Sequence, residues 1–170
     1  MRRLILIRRL AAAAALLASA LAAHSQVNFP ARPVRIIVPV VPGSFTDLAA
    51  RALAGELAGP LGQSVLVENR PGAGTTLGAD AVAKSAPDGH TLLITENSFT
   101  ISAALYPKLP YDPVRDFSPI TLVAEAPYIL WSRPDLEARS LKELVEMAKA
   151  KPGSLTFGSG GQGTSSHLSA

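Results

Sequence analysis

The chain has 170 residues, 48% of them hydrophobic, no cysteine and a formal net charge of +3, so disulfides, thiol catalysis and cysteine-ligated zinc are excluded. Arg2, Arg3, Arg8 and Arg9 supply four of the sixteen basic residues, and all thirteen acidic ones come later. Beyond that cluster twelve basic residues face thirteen acidic ones, a net of −1 with no basic run interleaved with aromatics, which offers nothing to a nucleic acid.

The four arginines precede an uncharged Ala/Leu stretch, Leu10–Ala23. Ala23-His24-Ser25 then gives a small-x-small cleavage site before Gln26, with Ala20-Leu21-Ala22 as a second choice. This is the pattern of a secretory signal peptide over residues 1–25, and its apolar stretch is too short to span a bilayer. The chain is therefore expected to be exported and its signal removed.

Val34–Val38 is a β-branched run long enough for a buried strand. Pro39 and Pro42 end it, Gly43 lets the chain turn, and Ser44 or Thr46 can cap a helix with an apolar face of Leu48, Ala49, Ala52, Leu53 and Leu57. Gly59-Pro60-Leu61-Gly62 is a stop signal. Ser64–Glu68 reads as a second strand and Asn69–Gly74 as a loop. A helix follows from Thr75 or Thr76 to about Ser85, with Leu77, Ala81 and Val82 on one face. Ala86-Pro87-Asp88-Gly89 is a turn. Thr91–Thr95 reads as a third strand, Glu96–Ser98 as a polar loop and Phe99–Leu105 as a short helix.

Leu109–Asp116 is irregular, with turn and cap aspartates. Phe117–Val123 and Tyr128–Ser132 are apolar runs expected as strands, with Tyr128 and Trp131 packed in a core or hinge. Ser140-Leu141-Lys142-Glu143 is a capping box. Its helix carries Leu141, Leu144, Val145 and Ala148 on one face, and Glu143, Glu146 and Lys149 toward solvent. Leu155–Gly158 is expected as a short strand, Ser159–Thr164 as a second Gly-rich loop, and Ser165, Ser166 and His167 as the opening of a helix. A helix that starts so near Ala170 suggests a chain cut from a larger architecture. Alternating strands and helices imply an α/β fold with a parallel-rich sheet.

Two loops each follow a strand and open a helix, at Val40–Thr46 and Ser159–Thr164. Unpaired N–H groups at such corners suit an anion. Gly72-Ala73-Gly74-Thr75-Thr76-Leu77-Gly78 comes near a dinucleotide fingerprint but has a GxGxxxG spacing and follows the second strand. Close strand–helix packing is the favoured reading there, with a dinucleotide-binding enzyme domain as the alternative. Phe157 breaks a nucleophile elbow at Ser159, and the lone histidines His90 and His167 form no metal cluster. No catalytic residue, metal or cofactor is expected.

Four motifs stand in order: VPVVPGSFTD, VENRPGAGTTLGADAVAKSAPDGHTLL, LPYDPVRDFSPITLV and FGSGGQGTSSHLS. Together they resemble the Bug (TctC-like) substrate-binding proteins of tripartite tricarboxylate transporters, from Phe29 to Ala170. The resemblance implies a type II periplasmic binding protein-like α/β fold with two lobes. Residues 26–125 would be the first lobe, and residues 126–170 the hinge crossing and the start of the second.

It also implies a non-enzymatic receptor that delivers its ligand to membrane permease subunits. The ligand would be a small organic acid: a di- or tricarboxylate, an amino acid or an aromatic acid. Backbone amides of the first loop, Val41, Pro42, Gly43 and Ser44 among its residues, would receive one carboxylate, Asp47 would orient that loop or face a polar ligand group, and Thr95 and Ser98 would contribute after the third strand. Ser159, Gly161, Gly163, Thr164 and His167 would grip the other end. Val40 stands where the family usually has an aromatic residue, and Gly43-Ser44 replaces two adjacent glycines. A fragment without function of its own is the remaining alternative.

Overall fold

The computed structural model describes residues 29–169, so the signal-peptide reading lies outside the described residues. Strand β1 (Val34–Val38) lies at the centre of a three-stranded parallel sheet, between β2 (Val65–Asn69) and β3 (Thr91–Leu93). β1 pairs with β2 from Val34↔Val65 to Val38↔Asn69, and with β3 from Arg35↔Thr91 to Ile37↔Leu93. A central parallel strand is covered on both faces, which is why four of its five residues are apolar, with Arg35 the exception, instead of alternating with polar ones. Val34, Ile36, Ile37 and Val38 are all buried.

Helix α1 (Phe45–Leu61) packs on β1 through small side chains. Ile36, Val38, Ala50, Ala54 and Ile94 form the core, with Ala49, Leu53, Val65, Val67 and Leu92 against it. The buried stripe is thus rotated from the expected one, and Leu48 and Ala52 face solvent. Helical spacing permits either stripe, and the alanines win because they let the helix lie close to the sheet. α1 also continues through Pro60, within its last turn, and stops at Gly62 in the left-handed conformation.

A 3₁₀ turn (Ala73–Thr75) leads into α2 (Thr76–Ala83), whose buried residues are Thr76, Gly78 and Ala79, while Leu77 is exposed. A Cβ on Gly78 would lie 2.7 Å from Pro39 Cβ and 2.9 Å from Pro39 Cα. Here a glycine serves the contact between helix and strand end, as expected for this motif. α3 (Ser98–Leu105) follows the third strand.

Residues 117–132 and 155–158 form no strand, contrary to expectation. An apolar run becomes a strand only beside a partner that takes its N–H and C=O groups. Among the described residues none lies beside these runs. Ile120, Leu122, Ile129 and Leu130 are exposed, as are Tyr128 and Trp131, which do not pack in a core. α4 (Leu141–Ala150) forms where the capping box places it, but none of its residues is buried. Ser140 Oγ accepts the Glu143 N–H, and the Glu143 carboxylate accepts from Arg139 N–H, one residue before the cap. The last helix, α5 (Ser165–Leu168), is capped by Thr164.

Candidate functional site

Parallel strands send all their following loops to one edge of the sheet, the usual ligand edge of open α/β folds. The loops after β1, β2 and β3 therefore gather there. In the first, Asp47 is only 2% exposed and braces the turn from inside. Its carboxylate accepts from Gly43 N–H at 2.8 Å, Asn69 Nδ2 at 2.9 Å and Arg51 Nε at 3.1 Å. Asn69 Nδ2 also donates to Val40 O, tying the loop to the end of β2. These bonds, that from Arg51 foremost, lower the Asp47 pKa to about 2. Asn69 and Arg51 were not singled out from the sequence. The signal for Asn69 is its register opposite Val38, which only strand pairing reveals.

Several first-loop amides are already engaged. Gly43 N–H binds Asp47, Ser44 N–H meets Val41 O at 3.4 Å, and Asp47 N–H donates to Ser44 Oγ, the helix cap. The N–H groups of Phe45 and Thr46 have no partner among the described residues, as first-turn donors do without one. Val41, Pro42 and Gly43 are exposed around them.

At the end of β3, Thr95 Oγ1 is buried without a hydrogen-bond partner. Ser98 is fully buried and joins distant parts of the chain. Its Oγ donates to Glu96 Oε1 at 2.8 Å and accepts Ser165 N–H at 3.1 Å, with Ser165 Oγ at 3.3 Å. The Tyr128 hydroxyl donates to Ser165 Oγ. Residues 159–167 are thereby docked at the same sheet edge as Thr95 and Ser98. The Gly-rich loop also meets the turn after β2: a Cβ on Gly74 would lie 3.3 Å from Gln162 O, and one on Gly163 would lie 3.1 Å from the Tyr106 hydroxyl.

This second loop spends much of its own polarity. Gly160 N–H donates to Ser166 Oγ, Gly161 N–H to Ser159 Oγ and Thr164 N–H to Gly161 O. Thr164 Oγ1 donates to Gly161 O and accepts His167 N–H. The N–H groups of Gln162, Gly163 and Ser166 have no partner among the described residues, and His167 Nδ1 is buried without one. The His167 ring lies 6.0 Å from that of Phe157. Of the expected site residues, Ser98 thus meets the segment that carries Thr164 and His167, through Ser165. No hydrogen bond joins residues 41–47 to residues 159–167 among the described residues. A concavity of about 560 Å³ lies elsewhere, lined by Tyr106, Tyr111, Asp112 and Arg115 among others and by neither loop. Among the described residues no cluster of His, Asp or Glu could hold a metal.

The sheet edge gathers hydroxyls and loop amides, groups that hold a ligand by hydrogen bonds. The family model described as tripartite tricarboxylate transporter family receptor matches residues 49–170, and the chain belongs to that family. It is 43% identical over 143 residues to the protein BugT of Bordetella pertussis, covering 83% of this chain and 44% of that protein. Among solved structures it resembles the R. palustris protein Rpa4515 with adipate (TM-score 0.76, 34% identity, 83% of this chain and 48% of that one). It also resembles the periplasmic binding protein BugD (TM-score 0.70, 36% identity, 82% and 47%). The chain spans about half the length of the curated relatives it matches. The family is one of receptors, not enzymes. No helix of the described residues is long and apolar enough to cross a membrane.

Proposed function

We propose that this chain is the ligand-gripping part of an exported receptor for a small organic carboxylate, which it presents to membrane permease subunits. The observation that carries the reading is the meeting of Ser98 and Ser165, 67 residues apart, at the carboxyl edge of the sheet. The family match and the adipate held by a structural relative point to the same ligand chemistry. Phe45 and Thr46 N–H groups would take one carboxylate end, with Val41, Pro42, Gly43 and Ser44 shaping the approach and Asp47 fixing the loop. Gln162, Gly163 and Ser166 N–H groups would serve the other end, with Thr95, Ser98, Ser159, Gly161, Thr164 and His167 around it. A carboxylate taking several N–H bonds needs no arginine partner, since each such bond contributes about 1.5–3 kcal/mol. Residues 26–125 form the first lobe in this reading, and residues 126–170 the crossing and the start of a second lobe that closes over the ligand.

Calorimetry with a panel of di- and tricarboxylates, amino acids and aromatic acids tests this on two proteins: the chain itself, and a version extended to the length of its relatives. Micromolar binding is expected from the longer protein, and binding at least about tenfold weaker from the 170-residue chain, which spans about half the length of its relatives. A folded longer protein that binds no acid in the panel overturns the proposal.

A further inference from the structure

The hydroxyls that join the two halves of the site are arranged around one carboxylate. Ser98 donates its only O–H hydrogen to Glu96. Ser98 Oγ is then an acceptor, and it faces Ser165 N–H and Ser165 Oγ. Tyr128 O–H is directed at Ser165 Oγ, with Glu96 Oε2 as its other neighbour at 3.5 Å. An ionised carboxylate only accepts, so the hydrogens of all three hydroxyls run inward toward Glu96. Ser98 Oγ, fully buried, spends both acceptor positions on Ser165, so what remains for a ligand at this place is the half-buried carboxylate of Glu96. Glu96 is half-buried, and among the described residues neither Lys nor Arg pairs with it. Thr95 Oγ1, beside it in sequence, is buried and has no partner.

A second ligand carboxylate would meet a like charge here, whereas an ammonium would find a counter-charge and the Glu96 lone pairs that Ser98 and Tyr128 leave open. We propose that Glu96 sets specificity, selecting an acid that carries an ammonium group over the same skeleton without one. This rests on the carboxylate-binding reading given above. The carboxylate lies toward the loop amides, and the ammonium lies at Glu96.

Two matched series test it by calorimetry on the protein at the length of its relatives: succinate, malate and aspartate, then adipate and 2-aminoadipate. Aspartate is expected to bind about tenfold or more tightly than succinate, with malate between them, the range that a charge-assisted hydrogen bond supports. 2-Aminoadipate should likewise exceed adipate. Glu96→Gln should lose most of the preference for aspartate over succinate, and a folded variant that keeps the full preference overturns the inference. The ranking in the unaltered protein stands even where that variant fails to fold. Equal or tighter binding of the plain diacids overturns the inference and leaves carboxylate binding intact. Binding of no acid at all removes the underlying reading, and the inference with it.

Discussion

Two regions of this chain have equally apolar sequences and opposite fates. VRIIV at β1 is buried between two strands under α1, whereas the apolar runs within residues 117–132 stand exposed with no ladder. Intrinsic β-preference is shared, so the difference lies in partners. Among the described residues, β1 has a strand on each side and a helix above it, and 117–132 has neither. Burial, not composition, turns hydrophobicity into stability. The largest effect expected follows from this contrast. Ile36→Ala, at 1% exposure, should cost about 2–5 kcal/mol in chemical denaturation. Ile129→Ala, at 65% exposure, should stay within about 0.5 kcal/mol. Equal losses at the two sites would break the comparison.

The next effect concerns how closely the buried region is packed. Gly78→Ala forces a Cβ against Pro39 and to 3.1 Å from Arg70 O, both at the carboxyl ends of the strands. A loss of about 1–3 kcal/mol is expected, as for overpacked cores. Gly153→Ala in the exposed half meets open space but has φ +78, so it reports backbone strain alone. Comparing the two by thermal unfolding separates packing from strain.

A third contrast is electrostatic. Asp47 and Asp112 both have their pKa lowered to about 2, through different wiring. Asp112 is held by backbone N–H groups of Val114 and Arg115 and by the Arg115 side chain, all within its own turn. Asp47 reaches Asn69, 22 residues away, and so ties α1 to β2. A depressed pKa means that the folded form favours the ionised carboxylate. The stabilisation is therefore complete above about pH 4 and lost as the pH falls toward about 2. Asp47→Asn should lower the global unfolding midpoint at pH 7, and the gap to the unaltered chain should close below about pH 3. Asp112→Asn should show the same window in its local turn, read by hydrogen exchange, with a smaller global change.

The sequence makes the first three strands, their helices and both Gly-rich loops legible, because each is a local pattern: a β-branched run, a cap, a glycine. What it misses is set across distance. The rotated face of α1 depends on how close the sheet lies. Asn69 becomes a brace only once Val38 is its neighbour. Ser98 is an expected site residue, but its partners Ser165 and Tyr128 lie far along the chain, and nothing local marks that they meet it and Glu96. The strands expected at 117–123, 128–132 and 155–158 fail for the converse reason, since their local pattern is sound and their neighbours are absent among the described residues.

The smallest effect is the most discriminating, because it compares two like caps. Ser44 and Ser140 each accept an N–H three residues on, at 3.3 and 3.2 Å. Removing an N-cap hydroxyl costs about 1 kcal/mol wherever the helix belongs to the cooperative fold. α1 contributes Ala50 and Ala54 to the core, so Ser44→Ala should lower global stability by about that amount. α4 buries nothing, so its helix–coil equilibrium is nearly its own. Ser140→Ala should therefore leave the global midpoint in place and raise amide exchange in residues 141–150 by about fivefold, the local equivalent of the same loss. A global loss at Ser140 equal to that at Ser44 would mean that α4 is coupled to the sheet through contacts absent from the described residues.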